Sequence, residues 1–128
     1  MRTVLLDTNA FTALLGGDNT VLKAIDRADR VYASVIVMGE LEAGFRGGSR
    51  YAANLTILEK FLDTPTVEVL PVTRETSDAF GRVKDVLRRK GTPIPINDVW
   101  IGAQCIETGS HLLTYDRHFD LIEGLRLW

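Results

Sequence analysis

The sequence has 128 residues, of which 45% are hydrophobic and 25% are charged, and its formal net charge is −2. This size predicts a single domain over residues 1–128 with its own hydrophobic core, and the ordinary composition excludes a disordered or fibrous chain. The slight acidic excess excludes nucleic-acid binding by a broadly basic surface, so any such contact has to be local, through a basic patch or a metal ion.

The compartment is indicated by the cysteine content and by the absence of long apolar segments. The single cysteine, Cys105, allows no intramolecular disulfide, which is typical of a reducing compartment. The apolar run at residues 4–6 is too short for the core of a signal peptide. No apolar stretch approaches the roughly 20 residues that a membrane span needs. We therefore expect a soluble, cytoplasmic protein with no membrane partner.

Short apolar runs typical of buried strands alternate along the chain with amphipathic segments typical of helices. In chain order, the predicted elements are a strand at 4–6, a helix to about 15, a helix at about 20–28, a strand at 31–33, helices to about 45 and at about 50–62, a strand at 67–70, helices to about 90 and to about 109, and strands at 112–114 and 125–127.

Polar residues that are typical helix caps stand before several of the predicted helices. Thr8 and Asn9 are expected to cap the first helix, and Ser34 is expected to cap the third. Thr73 and Asn97 are expected to cap the two helices in the second half of the chain. A glycine after the last of these helices is typical of a left-handed helix end.

The order of strands and helices predicts the fold class. Strands that alternate with helices favour a mostly parallel sheet with helices on both faces, which is an α/β protein of three layers, α/β/α. No linker, internal repeat or low-complexity segment divides the chain, in keeping with one domain. Because ligands of such folds bind outside the carboxyl ends of the strands, functional residues are expected at that edge of the sheet.

Four acidic residues stand at or near that edge. Asp7 directly follows the first strand, Asp116 follows the fourth, and Asp98 lies at a helix N-terminus. Glu40 lies in the first half of the third helix. Taken singly, Asp7 could be a helix cap, and Asp98 could be favoured by the helix dipole. Glu40 could be a solvated helix residue, and Asp116 could be a turn residue. Their joint placement favours a shared site.

A cluster of four carboxylates has a definite chemical requirement. Like charges repel, so such a cluster needs a compensating cation or a bound proton. Oxygen ligands without a cysteine or histidine cluster suit Mg²⁺ or Mn²⁺ rather than Zn²⁺. One or two such ions can activate water and stabilise the leaving oxygen of a phosphodiester. The sequence therefore indicates metal-dependent phosphodiester hydrolysis, with the number of ions left open.

Four segments, in this order and with this spacing, resemble the signatures of the PIN-domain family. They are LDTN at 6–9, GELEAG at 39–44, NDVWIGA at 97–103 and LLTYDRHF at 112–119. The resemblance spans essentially the whole chain. The small size without a further domain resembles the VapC type, which is the toxin half of toxin–antitoxin pairs.

The resemblance implies a PIN fold and an endoribonuclease that depends on Mg²⁺ or Mn²⁺ and hydrolyses RNA. It also implies a homodimer and a small antitoxin protein bound in a groove near residues 37–62, with a basic antitoxin side chain reaching the acidic pocket. A larger toxin–antitoxin assembly is a further expectation of the same kind.

The resemblance also assigns roles to residues. Catalytic and metal-binding roles fall on Asp7, Glu40, Asp98 and Asp116, and supporting hydrogen-bonding roles fall on Thr8, Asn9, Asn97 and Thr114. The residues named as candidates for contact with RNA are Arg46, Arg50, Arg117 and His118.

Two positions depart from the family pattern. Gly102 stands where alanine is more usual, which is a small change in packing. His118 stands where some members carry a further acid, so either the second metal site is weaker or this histidine contacts substrate. A surface or capping role for His118 is the ordinary alternative. Cys105 is expected to be a buried, inert thiol.

Three other functions are compatible with parts of this pattern. The first is a PIN domain that binds RNA or a partner without cutting, and the second is a structure-specific DNA nuclease of the same superfamily. The third is a receiver-like phospho-acceptor domain, which needs an aspartate after the third strand and a lysine after a late one. Residues 70–73 contain no aspartate, and no lysine follows Lys90, which counts against the third.

Overall fold

The computed structural model describes residues 1–128 and contains five strands, six α-helices and one 3₁₀ helix. The strands are β1 (Thr3–Leu6), β2 (Arg30–Ser34), β3 (Val67–Leu70), β4 (His111–Leu113) and β5 (Arg126–Leu127). The helices are α1 (Thr8–Leu15), α2 (Asn19–Arg27), α3 (Val35–Gly47), α4 (Tyr51–Leu62), α5 (Arg74–Lys90) and α6 (Ile96–Thr108), and the 3₁₀ helix is Arg117–Leu121.

The five strands form one sheet in the order β3-β2-β1-β4-β5, and every neighbouring pair is parallel. The chain moves from β1 outward through β2 to β3, and then returns to the other side of β1 for β4 and β5. The strand order therefore reverses beside β1. In open α/β sheets the ligand crevice forms at the carboxyl ends of the strands at such a reversal.

The central position of β1 explains its sequence. Val4, Leu5 and Leu6 are fully buried, because helices cover the sheet and the side chains of a central strand are enclosed on both faces. Aromatic pairs join the helices around this core: Phe11 of α1 meets Phe61 of α4 edge to face, and Phe80 of α5 stacks on Trp100 of α6. The predicted α/β fold class is confirmed, with a sheet that is entirely parallel.

Two predicted helix caps are wrong. The cap of α1 is Asp7, whose Oδ1 accepts a hydrogen bond from the backbone N–H of Ala10, so that Thr8 is already helical. The α6 helix begins at Ile96, one residue before the predicted cap Asn97, with Pro95 before it and no side-chain cap. The proline carbonyl accepts from the backbone N–H groups of the first turn instead.

The other helix ends follow the sequence signals. Ser34 caps α3 by accepting from the backbone N–H of Ile36, and Thr73 is the N-cap residue of α5. Gly109 ends α6 with a φ of 66°, in the left-handed region that glycine adopts without strain. None of the helices is both long enough and apolar enough to cross a membrane.

Candidate metal and phosphodiesterase site

The candidate site lies at the carboxyl ends of β1 and β4, where the strand order reverses. Asp7 leaves β1 there, and its backbone N–H donates to the carbonyl of Leu113 at the end of β4 (3.3 Å). The Asp7 side chain is only 3% exposed. Its Oδ1 accepts from Ala10 at 2.8 Å, and its Oδ2 accepts from the hydroxyl of Thr114. The helix cap and the strand end therefore hold one carboxylate in a single orientation.

Thr114 also holds the next acid. Its Oγ1 accepts a hydrogen bond of 2.9 Å from the backbone N–H of Asp116. One hydroxyl thus joins Asp7 to the loop that carries Asp116. Strand β4 ends at Leu113, so Thr114 lies just outside it rather than within it as predicted. Asp116 then stands at the N-terminus of the 3₁₀ helix.

The first turn of α6 brings Asp98 to the same place. Asp98 Oδ2 lies 2.6 Å from His118 Nε2, and the other ring nitrogen of His118, Nδ1, lies 2.8 Å from Asp116 Oδ1. The ligand atoms of these three side chains all lie within 4.8 Å of one another. The predicted proximity of Asp98 and Asp116 is therefore observed. His118, for which the sequence allowed either a substrate contact or a surface role, lies between these two acids.

Glu40 reaches the site from the middle of α3. Its Oε1 accepts a hydrogen bond of 2.6 Å from the Thr8 hydroxyl, on the first residue of α1. The charge of Glu40 also contributes to raising the pKa of Asp98, which means that the two carboxylates are close enough to interact. All four acids thus belong to one electrostatic cluster.

The pKa values of two acids record this environment. Burial raises the pKa of Asp7 above its ordinary value; the hydrogen bonds from Thr114 and Ala10 oppose the rise, and the charges of Asp98 and Asp116 add to it. Burial likewise raises the pKa of Asp98, against the opposing effect of the hydrogen bond and charge of His118. In both carboxylates, the cost of burying the charge exceeds the stabilisation from the opposing hydrogen bonds, and such perturbed acids cluster at functional sites.

The donor set fits a divalent cation. Carboxylate oxygens from three chain segments converge with one imidazole, and the buried Asp7 has no basic side chain as a partner. Mg²⁺ and Mn²⁺ take such oxygen ligands, and nothing in the cluster provides the thiolates of a structural zinc site. The residues that would hold the ion are Asp7, Asp98 and Asp116, with Glu40 beside them.

The predicted supporting residues divide into two groups. Thr8 and Thr114 donate hydrogen bonds to Glu40 and Asp7. Asn9 and Asn97 are exposed, and neither side chain hydrogen-bonds to one of the four acids. A supporting role for the two asparagines therefore stays a prediction.

The candidate RNA contacts also differ from one another. Arg46 is engaged on the surface of α3 and α4, where it pairs with Glu42 at 2.9 Å and stacks over the ring of Tyr51. Arg50 and Arg117 are exposed, and Arg117 begins the 3₁₀ helix next to Asp116. Among these arginines, Arg117 lies nearest in the chain to the acids.

Sequence reasoning missed one buried residue that positions α6. Gln104 is fully buried; its Oε1 accepts from the Ser34 hydroxyl, and its Nε2 donates to the carbonyl of Pro71 at 3.2 Å. This amide joins α6 to the ends of β2 and β3, so it helps to place Asp98. The only signal in the sequence is a polar residue among the small and apolar residues of α6.

Comparisons with known proteins identify the family of the chain. The family model of the PIN domain matches residues 4–125, and the chain therefore belongs to the PIN-domain family. Among its members, ribonuclease VapC5 of Mycobacterium tuberculosis is 30% identical over 125 residues, an alignment that covers 93% of this chain and 87% of that protein.

Solved structures show the same fold. DNA-bound VapBC from Salmonella typhimurium superposes with a TM-score of 0.90 at 26% identity, covering 100% of this chain and 98% of that one. VapBC-5 from Mycobacterium tuberculosis, a member of the VapBC family of toxin–antitoxin systems, has a TM-score of 0.77 at 27% identity and covers 99% and 100%. The expected PIN-like fold is confirmed. The receiver-like alternative is wrong, since that fold has the strand order 2-1-3-4-5.

Proposed function

We propose that this protein is a divalent-metal-dependent endoribonuclease, the toxin of a toxin–antitoxin pair, which hydrolyses RNA phosphodiester bonds with water. The observation that carries the proposal is the convergence of Asp7, Glu40, Asp98 and Asp116 at the strand-order reversal, where a PIN domain is expected to bind its substrate. The relationship to VapC5, which is named a ribonuclease, supports RNA as the substrate class.

The roles of the side chains follow from their contacts. Asp7, Asp98 and Asp116 present the negative charge that holds Mg²⁺ or Mn²⁺, and Thr114 joins the carboxylate of Asp7 to the backbone N–H of Asp116. The bound cation supplies neutralisation of the phosphodiester charge and acidifies the attacking water. Glu40, held by Thr8, lies where it can help to hold the ion or accept a proton from that water.

A covalent enzyme intermediate is not part of this proposal. The one thiol, Cys105, is 1% exposed and lies within α6, and burial raises its pKa to about 12. A thiol in this state is protonated and enclosed at neutral pH, so it is a poor nucleophile. Direct attack by water remains.

The net charge of −2 implies that the cation also attracts the substrate. Without it, four carboxylates would repel a phosphate backbone, and the chain has no general basic excess to offset them. We propose that Arg117 assists in holding RNA. Arg50, and Arg46 despite its pairing with Glu42, would contribute less directly.

We propose that the partner is a small antitoxin that covers α3 and α4, within residues 37–62, and that the toxin forms a homodimer within a larger assembly in the cytoplasm. Apolar side chains are exposed on or beside these helices, including Val35 (37%) and Ile57 (46%). Such side chains favour association with an apolar partner surface. The VapBC structures with the same fold support this choice of partner.

The test is cleavage of a mixed RNA pool by the purified protein. Asp7→Asn and Asp98→Asn keep side-chain shape and remove charge, so each variant is expected to lose cleavage by at least about 100-fold, as does the wild type in excess EDTA. Asp26→Asn, at an exposed acid of α2, is the matched control and is expected to cleave normally.

The outcomes separate this proposal from its alternatives. Wild-type cleavage in EDTA, or full activity of Asp7→Asn, would contradict it. Tight RNA binding without cleavage in the presence of Mg²⁺ or Mn²⁺ would favour the non-cleaving PIN domain. Preferential cleavage of a DNA pool would favour the DNA nuclease.

A further inference from the structure

His118 is the one nitrogen-bearing side chain among the acids of the site, and the proposed function gives it no role in binding the ion. It lies two residues after Asp116, and its two ring nitrogens face Asp98 Oδ2 at 2.6 Å and Asp116 Oδ1 at 2.8 Å. The side chains of His118, Asp98 and Asp116 are 27%, 19% and 33% exposed, so the group is shielded but open to an ion from solvent.

The local fold keeps the imidazole in this position. Asp116 stands at the N-terminus of the 3₁₀ helix, and Phe119, the residue after His118, is 1% exposed within the core. The ring of His118 lies 5.0 Å from the ring of Phe119, centroid to centroid. A buried neighbour in a tight helical turn restricts how far the imidazole can turn away from the acids.

This arrangement is typical of a histidine that binds a metal ion. Such a histidine coordinates through one ring nitrogen and donates the other ring N–H to a carboxylate, which fixes the tautomer and the orientation of the ring. In this protein a carboxylate stands beside each ring nitrogen of His118. Adjacent ligands of an octahedral ion lie about 3 Å apart, so the 2.6 Å separation of Nε2 from Asp98 Oδ2 needs to open by only a few tenths of an ångström.

We propose that Nε2 of His118 is a direct ligand of the divalent cation beside Asp98, that Nδ1–H donates to Asp116, and that this nitrogen makes the site select Mn²⁺ over Mg²⁺. The inference rests on the proposed metal site and adds to it a ligand and a preferred class of ion. Mg²⁺ strongly favours oxygen ligands, whereas imidazole nitrogen suits first-row transition ions. Compared with a further acid at position 118, an imidazole also lowers the negative charge on which Mg²⁺ binding depends.

The chain offers a matched control for the test, because it has only two histidines. The other is His111, the first residue of β4, where its ring meets Trp128 at 6.2 Å, centroid to centroid. It lies at the amino end of the strand whose carboxyl end meets Asp7. His118→Asn and His111→Asn therefore make the same chemical change inside and outside the site.

The experiment titrates Mn²⁺ into the whole protein labelled with ¹⁵N-histidine and records pulsed electron paramagnetic resonance spectra. A directly bound histidine nitrogen is expected in the wild type and in His111→Asn, and no such coupling in His118→Asn. Mn²⁺ affinity is expected to fall by about 10- to 100-fold in His118→Asn. Mg²⁺ affinity, measured by competition, is expected to change much less. His118→Asp is expected to reverse the preference by binding Mg²⁺ more tightly than the wild type does.

Two results would overturn the assignment of His118 while leaving the proposed nuclease in place. One is Mn²⁺ bound to the wild type without a histidine nitrogen coupling, and the other is an unchanged ratio of Mn²⁺ to Mg²⁺ affinity in His118→Asn. Failure of the wild type to bind Mn²⁺ would overturn this assignment, and failure to bind either Mn²⁺ or Mg²⁺ would overturn the metal-dependent nuclease as well. The spectrum of His111→Asn, in which His118 is the only histidine, decides the question even where His118→Asn is poorly folded by circular dichroism.

Discussion

The hydroxyl of Thr114 hydrogen-bonds Oδ2 of Asp7, a residue 107 positions earlier in the chain, and so joins the ends of β4 and β1. The same oxygen accepts from the backbone N–H of Asp116 at 2.9 Å. A single small side chain thus sets the relative position of two acids of the site. Its size also makes it possible to remove the hydrogen bonds with almost no change in volume.

Thr114→Val is expected to weaken both cleavage and folding. Valine has nearly the shape of threonine, but Asp7 would lose one hydrogen-bond donor and the N–H of Asp116 its acceptor. Leaving buried polar groups unpaired costs about 1–3 kcal/mol of folding free energy, and we expect cleavage to fall by about 10-fold or more. Urea unfolding and RNA cleavage measure the two effects. Thr114→Ser is expected to retain both cleavage and stability. Equal losses in the serine and valine variants would contradict the role proposed for the hydroxyl.

Asp7→Asn is expected to stabilise the ion-free protein at neutral pH. Burial raises the pKa of Asp7 in the folded state, so the ionised carboxylate costs stability once the pH rises above the pKa of the unfolded chain. The cost grows until the pH passes the folded-state pKa, and is absent below the unfolded value. Asparagine keeps the capping oxygen without the charge.

Thermal unfolding in EDTA tests this expectation. At pH 7 the variant should melt a few degrees above the wild type, and the difference should vanish as the pH falls below the ordinary range of aspartate. Added Mn²⁺ should raise the melting temperature of the wild type but not of the variant. A variant less stable than the wild type at pH 7 in EDTA would show that the charge of Asp7 is well compensated without a cation.

Cys105 is expected to be unreactive in the folded protein. Burial raises its pKa to about 12, and its Sγ donates a hydrogen bond to the carbonyl of Ser110 at 3.2 Å. At pH 8 a thiol-specific reagent should therefore label the native protein far more slowly than the protein unfolded in urea. Cys105→Ala should retain RNA cleavage at a cost of about 1 kcal/mol in stability. Rapid labelling of the native protein together with loss of cleavage would implicate the thiol.

Gly102 and Ile122 are expected to be energetically coupled. A Cβ added at Gly102 would lie 2.6 Å from Cδ1 of Ile122, so Gly102→Ala is accommodated only if that side chain moves. The helix propensity of alanine, worth about 1 kcal/mol over glycine, opposes an overpacking cost of about 1–3 kcal/mol. The single variant is therefore expected to be neutral or destabilised.

Ile122→Val removes Cδ1 and should relieve the contact. In a double-mutant cycle followed by urea unfolding, Gly102→Ala should be more favourable in the valine background than in the wild type, by about 1 kcal/mol or more. Additive effects would mean that Ile122 rotates away freely. The glycine, which the sequence indicated only as a small departure in packing, would then have no steric role.

The sequence by itself determined the elements and most of the acids' positions. Apolar runs such as residues 4–6, capping residues such as Ser34 and the end of α6 at Gly109 depend on interactions within a few residues, so local patterns predict them. Asp7 and Asp116 were expected at one edge because parallel strands end together. The family motifs added Glu40, whose position in a helix is ordinary on its own.

Tertiary structure alone decided the contacts between distant parts of the chain. The strand order places β4 beside β1, which makes Asp7 the partner of Thr114, a residue 107 positions away in the sequence. Gln104 and His118 acquire their partners in the same way, across 70 and 20 positions of sequence. A side chain's identity gives its hydrogen-bonding capacity, but only the packing of sheet and helices determines which distant group satisfies it.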